Sequence, residues 1–273
     1  MSEGVRMSFV LIEKPRPQVA LVTLNRPERM NAMAFDVMIP LREALETVSA
    51  DNEVRVVVLT GAGEGFCSGA DLQNAGRIPD TEGLTKTSVA RRSMDLLNDV
   101  MITLRRMNQP VIAAINGAAI GGGFCLSVAT DIRIAGEDAY FRAAGINNGL
   151  TSAELGISYL LPRAIGASRA FEIMLSGRDV DAIEAERIGL VSRVVPAAEL
   201  LDTCYDLAER IISFSRVGTE LTKRMLWSGM EAGGFESHMQ HEGMSQLYVR
   251  LTTENFDEAI RARRDRRPPV YED

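Results

Sequence analysis

Two glycine-rich turns carry the residues best suited to chemistry in this chain, Gly61 to Leu72 (GAGEGFCSGADL) and Asn116 to Ser127 (NGAAIGGGFCLS). Each follows an apolar run of strand length, Val54 to Thr60 in the first case and Val111 to Ile115 in the second. Each is therefore a strand-to-turn junction. Glycine is favoured where the backbone turns sharply or approaches a ligand closely, and backbone N–H groups left free at such a turn can aim at an oxygen. Two such turns can polarise one carbonyl, which points to an acyl-thioester site.

Other reactive side chains offer less. Cys67, Cys125 and Cys204 lack metal-ligand spacing and form no disulfide framework, so a reducing cytoplasm is the default compartment. His238 and His241 stand at i,i+3 without a further nearby Cys or His and read as a surface or subunit contact. No metal is expected. Asn147-Asn148-Gly149 reads as an Asn-Gly turn, and Trp227 as packing.

The elements that must position the turns alternate between strand and helix. Val19 to Leu24 reads as a strand, and Asn25 to Arg29 turns the chain into a helix with Val37, Leu41, Leu45 and Val48 on one stripe, kinked at Pro40. Gln73 to Thr87 is polar and rich in helix breakers, a loop near the site. A helix with Leu97, Val100, Met101 and Leu104 on its apolar face follows, and Pro110 separates it from the next strand. Asp131 to Ala135 reads as another strand. The alternation argues for an α/β core with crossover connections. From about Pro196 helices take over, at Leu200 to Phe214, Thr219 to Met230 and Phe256 to Arg264, with Met225, Met230, Met239 and Met244 read as packing residues. Two sections are expected: a core over residues 1–196 carrying the site, and a helical section over 197–273.

Composition narrows the partners. The 273 residues are 46% hydrophobic, enough for a sizeable core. A net charge of −7 argues against nucleic acid, whose phosphates require clustered Lys and Arg. The basic run Arg261 to Arg267 is read as a solvated or intersubunit helix end. The first apolar stretch, Phe9 to Ile12, is too short for a signal peptide, and no run approaches membrane-spanning length.

The ordered series Asn25-Arg26-Pro27 through Asn31-Ala32, Gly69-Ala70-Asp71-Leu72, Asn116-Gly117 through Gly121-Gly122-Gly123, Asp131-Ile132, Ile188-Gly189-Leu190-Val191 and Val195-Pro196 resembles the crotonase, or enoyl-CoA hydratase/isomerase, superfamily over nearly the whole chain. The resemblance implies a crotonase-like spiral of repeated ββα units with a helical C-terminal oligomerisation section, trimers or dimers of trimers, and a CoA thioester as ligand. It implies no cofactor beyond the coenzyme A of the substrate.

Carried over by motif, the resemblance places the oxyanion hole on the backbone N–H groups of Ala70 and Gly122. Proton removal or attack beside a thioester carbonyl puts negative charge on its oxygen, and one such donor is typically worth ~2.7–4 kcal/mol. Gly122 is also expected to open a helix through Phe124 to Thr130, whose dipole favours the same oxygen. The CoA groove falls on Arg29, Asn31, Ala32, Ser68, Gly69, Asp71, Leu72 and Gly121, mainly through main-chain contacts, with Arg29 a phosphate partner.

The acid/base residues depart from the family. Hydratases of the type family use two glutamates to ionise one water, and here those positions hold Cys125 and Gly145. Cys125 is read as a small core residue rather than a nucleophile. Glu154 matches the acid of isomerase-like relatives, with a helix-start glutamate as the competing reading. One carboxylate beside an enolate-stabilising pocket suits a 1,3-proton shift, and water addition stays open. The expectation is a cytoplasmic enzyme of enoyl-CoA isomerisation or hydration in fatty-acid or related acyl-CoA metabolism. A noncatalytic acyl-CoA binder and an acyl-CoA thioester hydrolase are the alternatives.

Overall fold

The computed structural model describes residues 9–272. The ends of the two expected sections, residues 1–8 and 273, lie outside the described residues. Strands β1 (Val10–Arg16), β2 (Val19–Leu24), β3 (Val56–Gly61), β5 (Val111–Ile115), β7 (Ile132–Gly136) and β10 (Arg193–Val195) form one six-stranded sheet in the order β1-β2-β3-β5-β7-β10, parallel except for the β1/β2 pair. The short strands β4 (Gly65–Cys67), β6 (Ala118–Ile120), β8 (Tyr140–Arg142) and β9 (Asp179–Asp181) form a second sheet in the order β4-β6-β8-β9.

Three times the chain leaves the first sheet, adds a short strand to the second and enters a helix; the first two helices lead back to the first sheet, and the third leads through α5 (Ala167–Ser176) to β9 of the second. The passes are β3-β4-α2 (Lys86–Arg106), β5-β6-α3 (Gly122–Val128) and β7-β8-α4 (Ile157–Ile165). This is the expected spiral of repeated ββα units. Its glycine turns lie where the chain crosses from one sheet to the other and on to the helix, so successive passes bring equivalent turns side by side.

The apolar runs are continuous because the large sheet is covered on both faces. Along β2, Ala20, Val22 and Leu24 face the main core, while Val19 and Leu21 face a second cluster; along β3, Val57 and Leu59 divide from Val56 and Val58 in the same way. Helix α1 (Phe35–Ala50) contributes Val37, Leu41, Leu45 and Val48 to the main core, as its spacing predicts, and runs on through Pro40. Helix α2 begins at Lys86, where the Thr85 hydroxyl accepts the Ser88 N–H at 3.2 Å, so the polar loop ends two residues earlier than expected.

Helix α7 (Leu200–Ile212) covers the other face of the large sheet with Leu200, Cys204, Tyr205 and Ala208. Helices α5 (Ala167–Ser176), α6 (Ala182–Arg187), α8 (Arg216–Glu231), α9 (Phe235–Thr252) and α10 (Asn255–Asp265) complete the chain. A buried ionic brace ties α8 to the core: Lys223 Nζ lies 2.8 Å from Asp131 Oδ2 and donates to the carbonyls of Leu104 and Gln109. Trp227 Nε1 donates to Asp131 Oδ1 at 2.6 Å, so Trp227 is a hydrogen-bonded packing residue against the core.

Helix α9 is one of the elements the sequence reading missed, with β1, α4, α5 and α6. None of its residues is buried, and Met239 and Met244 are 49% and 67% exposed, so within the protomer they are not packing residues. Its apolar residues do not gather on one stripe, which is the signal a helix reading relies on. Asn148 and Gly149 end a 3₁₀ turn, with Gly149 left-handed at φ +72°, as an Asn-Gly turn requires. Arg261 and Arg267 pair with Glu258 at the end of α10. Among the described residues no helix is long and apolar enough to cross a membrane.

Candidate active site

The first glycine turn presents Ala70 through a short backbone pairing. Met33 N–H donates to the Gly69 carbonyl at 2.7 Å and Asp71 N–H donates to the Met33 carbonyl at 3.0 Å, which makes Ala70 the bridge partner of Met33. In that pairing the N–H of Ala70 itself points away from Met33. Ala70 is exposed although Gly69 and Asp71 on either side are buried.

The second turn presents Gly122 as the first residue of α3, where helix N–H groups have no intrahelical partner. Gly121 before it holds φ +52° and ψ −119°, a backbone state open to glycine and strained for a side chain. Its N–H donates to the Arg142 carbonyl of β8 at 2.8 Å, which anchors the turn to the third pass of the spiral.

The two turns dock through their glycines. A Cβ on Gly69 would stand 2.6 Å from the Ile120 carbonyl oxygen and 3.3 Å from the Gly122 nitrogen. A Cβ on Gly117 would overlap the Glu64 carbonyl, and one on Gly123 the Cys67 carbonyl. Side chains at these points would drive the turns apart. Gly69 also needs its φ of +82°, so it serves both the turn and the close approach. Docking of this kind holds the Ala70 and Gly122 donors at a fixed spacing, the preorganisation an oxyanion hole depends on.

Glu154 arrives at the same place from the connection between β8 and α4. A Cβ built on Gly121 would stand 3.6 Å from Glu154 Oε1, 3.7 Å from Ala144 Cβ and 3.9 Å from Gly69 Cα, so the carboxylate stands beside the second turn where that turn meets the first. The chain reaches this geometry through two successive left-handed residues, Leu155 at φ +47° and Gly156 at φ +84°. Leu155 is not a glycine, and such a conformation persists when its surroundings enforce it. Its side chain is buried, with Cδ1 3.5 Å from the Cβ position of Gly122. Burial pushes the Glu154 carboxyl above its ordinary value. The cap of α4 is Gly156 and no side chain caps that helix, so the Glu154 carboxylate is not spent as a helix-start ligand.

The two positions that differ from hydratases are closed. Cys125 is buried, its Sγ–H faces the Glu154 carbonyl oxygen at 3.6 Å, and burial holds the thiol well above its ordinary pKa. It is a neutral core side chain rather than a nucleophile. At Gly145 a Cβ would overlap the Thr151 carbonyl oxygen, so this backbone has no room for a side chain there.

Residues 15–273 match the enoyl-CoA hydratase/isomerase family. The protein belongs to that family. It is 67% identical over 267 residues to "Probable enoyl-CoA hydratase echA12" of Mycobacterium bovis, covering 98% of this chain and 94% of that one. A crystal structure of a "probable enoyl-CoA hydratase/isomerase" from Mycobacterium abscessus, 65% identical, superposes with a TM-score of 0.94 over 97% of this chain and 99% of the other. A "monofunctional enoyl CoA isomerase" from M. smegmatis, 61% identical, gives a TM-score of 0.74 over 86% of this chain and 99% of the other. The expected fold and the expected enzyme class of enoyl-CoA hydratase/isomerase are both met.

The residues expected along the CoA groove of this family member divide into two kinds. Asn31 is fully buried and braces the first turn: its Nδ2 donates to the carbonyls of Ala62 at 3.0 Å and Gly65 at 2.8 Å, while its Oδ1 accepts the Arg26 N–H. Ala32 is buried. The Asp71 side chain has no exposed surface, and Arg26 and Arg29 lie 3.1 Å and 2.7 Å from its two oxygens. The Arg29 hydrogen bond, with the N–H groups of Asn74 and Gln73, holds the Asp71 carboxyl far below the usual range. By contrast Leu72 is 79% exposed and Ser68 is half-buried. Arg29 is only partly exposed and engaged, donating to Asp71 Oδ1 and to Gln73 Oε1, so a phosphate contact by Arg29 requires it to share or exchange those partners.

Met33, Leu155 and Arg26 belong to the site and escaped the sequence reading. The Met33 sulfur packs directly against Gly122, Leu155 wedges behind it, and Arg26 closes the Asp71 pair. The signal that could have found Met33 is its place just after the Asn31-Ala32 motif, in the segment that pairs with the first turn. A cavity of about 1320 Å³ lies elsewhere, between α8, α9 and the Asp131 to Arg133 edge, and none of Ala70, Gly122 and Glu154 lines it.

Proposed function

We propose that the protein is an enoyl-CoA isomerase in which Glu154 is the acid/base and the N–H groups of Ala70 and Gly122 hold the thioester oxygen. Glu154 removes a proton from C2 of a 3-enoyl thioester. The electron pair moves onto the thioester oxygen to give a dienolate, which the two N–H groups stabilise. The same carboxyl returns the proton at C4, leaving the double bond between C2 and C3. No water is consumed.

The observation that carries this reading is the half-buried Glu154 carboxylate beside Gly121, together with a backbone at Gly145 that leaves no space for a side chain. Ionising a water for addition is a two-carboxylate task in the hydratases that the sequence resembles, whereas a proton shift needs one base that can take and return a proton. A carboxyl with a raised pKa suits both roles of that base near neutral pH. The name of the M. smegmatis relative supports isomerisation, and that of the M. bovis relative supports hydration.

The substrate class is an acyl-CoA ester, with coenzyme A as part of the substrate and no separate cofactor. Assembly into trimers or paired trimers suits the exposed apolar residues of α9, among them Leu247 at 53% and Leu251 at 78%. A cytoplasmic setting completes the reading, supported by three buried free cysteines.

Absorbance separates the reactions. A 3-enoyl-CoA should gain conjugation on incubation with the protein, faster than a 2-enoyl-CoA loses it, and no free thiol should appear. Faster loss of conjugation from the 2-enoyl ester would make hydration the main reaction, and release of thiol would make it hydrolysis.

A further inference from the structure

Asp71 directly follows the oxyanion donor Ala70, yet its carboxylate is sealed from any ligand. Everything around it concerns the turn. Arg29 donates to Oδ1 at 2.7 Å, and the N–H groups of Gln73 and Asn74 reach the same oxygen at 3.0 and 2.9 Å. Arg26 contributes a charge contact to Oδ2 at 3.1 Å and itself lies over the Phe9 ring, with 5.3 Å between guanidinium carbon and ring centroid. On the other side of Ala70, Gly69 is clamped against Ile120 and Gly122. The peptide that presents the Ala70 N–H is thus pinned at both ends, by a glycine contact before it and by a buried carboxylate after it.

We propose that Asp71 is a positioning residue for the oxyanion hole, its carboxylate holding the turn so that the Ala70 N–H faces the thioester oxygen. The proposal rests on the reading of Ala70 as an oxyanion donor. Two opposing effects give it a sign. A carboxylate near a developing enolate opposes the negative charge electrostatically, and Arg26 and Arg29 leave the trio with one net positive charge. Were electrostatics the dominant effect, neutralising Asp71 would strengthen the hole. Were positioning dominant, the same change would weaken it.

A conjugated 2,4-dienoyl-CoA reports the difference, because its absorption moves to the red when its thioester carbonyl is polarised. Wild type at saturating ligand is expected to show the red shift, and Asp71→Asn to lose at least half of it. Its kcat should fall 10-fold or more while KM changes less than 3-fold. Arg29→Gln, which keeps the Arg26 contact, should give an intermediate red shift. An unchanged or larger shift in Asp71→Asn overturns the proposal; if that variant does not fold, an unchanged spectrum in Arg29→Gln overturns it instead. Absence of any shift in wild type with ligand bound would refute the reading of Ala70 and Gly122 as the oxyanion hole, a separate failure.

Discussion

Glu154 lies over Gly121. Its Oε1 stands 3.6 Å from the point where a Cβ on that glycine would be, one residue from the Gly122 donor. The proposed base and the proposed oxyanion donor Gly122 therefore share one corner of the fold, although they are far apart in the chain. The third ββα pass closes that gap by laying β8 beside β6 and then reversing the chain through Leu155 and Gly156.

The raised pKa of Glu154 makes activity and stability respond oppositely to its charge. Proton removal needs the carboxylate, so kcat/KM should fall at acid pH with a midpoint above 4.5, the ordinary value. A carboxyl whose folded pKa exceeds its unfolded one contributes stability below the unfolded value and loses it as pH rises through the folded one. Once the carboxyl has ionised that contribution is gone, and a glutamine in its place carries no charge to desolvate. Glu154→Gln should therefore melt no lower than wild type at pH 7, measured by calorimetry, and a clearly lower Tm would argue that the charged form is favourably held.

The glycine docking predicts a loss without unfolding. Gly69→Ala adds a methyl 2.6 Å from the Ile120 carbonyl and 3.3 Å from the Gly122 nitrogen, at a φ of +82°. The donors should move apart, lowering kcat by ~10²-fold, comparable with loss of one oxyanion donor. Steady-state kinetics beside circular dichroism would check this, and wild-type kcat would contradict it.

Gly145 tests whether a second carboxylate could be restored. Gly145→Ala should destabilise the fold by ~1–3 kcal/mol, the usual consequence of overpacking, because its Cβ overlaps the Thr151 carbonyl. Gly145→Glu should be at least as unstable and gain no hydratase activity. Denaturant titration and a 2-enoyl-CoA assay decide both, and an active, stable Gly145→Glu would show that the loop re-forms freely.

Lys223→Met tests the brace under α8. Removing one partner leaves Asp131 charged and largely buried, held by hydrogen bonds from Trp227 and the Val111 N–H and by the charge of Arg133. A loss of about 3 kcal/mol is expected, the low end for a broken buried pair. Urea unfolding midpoints would measure it, and a change within about 0.5 kcal/mol would mark the pair as dispensable.

The strands and glycine turns were legible because both faces of the large sheet are buried, so β2, β3 and β5 read as apolar runs, the last two leading into the glycine turns. Motif position singled out Ala70, Gly122 and Glu154, and the fold places Glu154 beside Gly121 and the Ala70 turn against Gly122. What the sequence could not show was contact across the spiral: that Asp71 turns inward to two arginines, that Met33 packs on Gly122, or that Thr151 occupies the space beside Gly145. Those facts depend on register between passes rather than on local pattern. Helix α9 was hidden for a different reason, since its apolar residues find no cover within the protomer and follow no single stripe.

The central claim is that Glu154 moves the proton. The most direct measurement is turnover of a 3-enoyl-CoA by wild type and Glu154→Gln, with calorimetric binding of a saturated acyl-CoA to both. Turnover should fall by ~10²-fold or more with affinity nearly unchanged; wild-type turnover in Glu154→Gln would contradict the account.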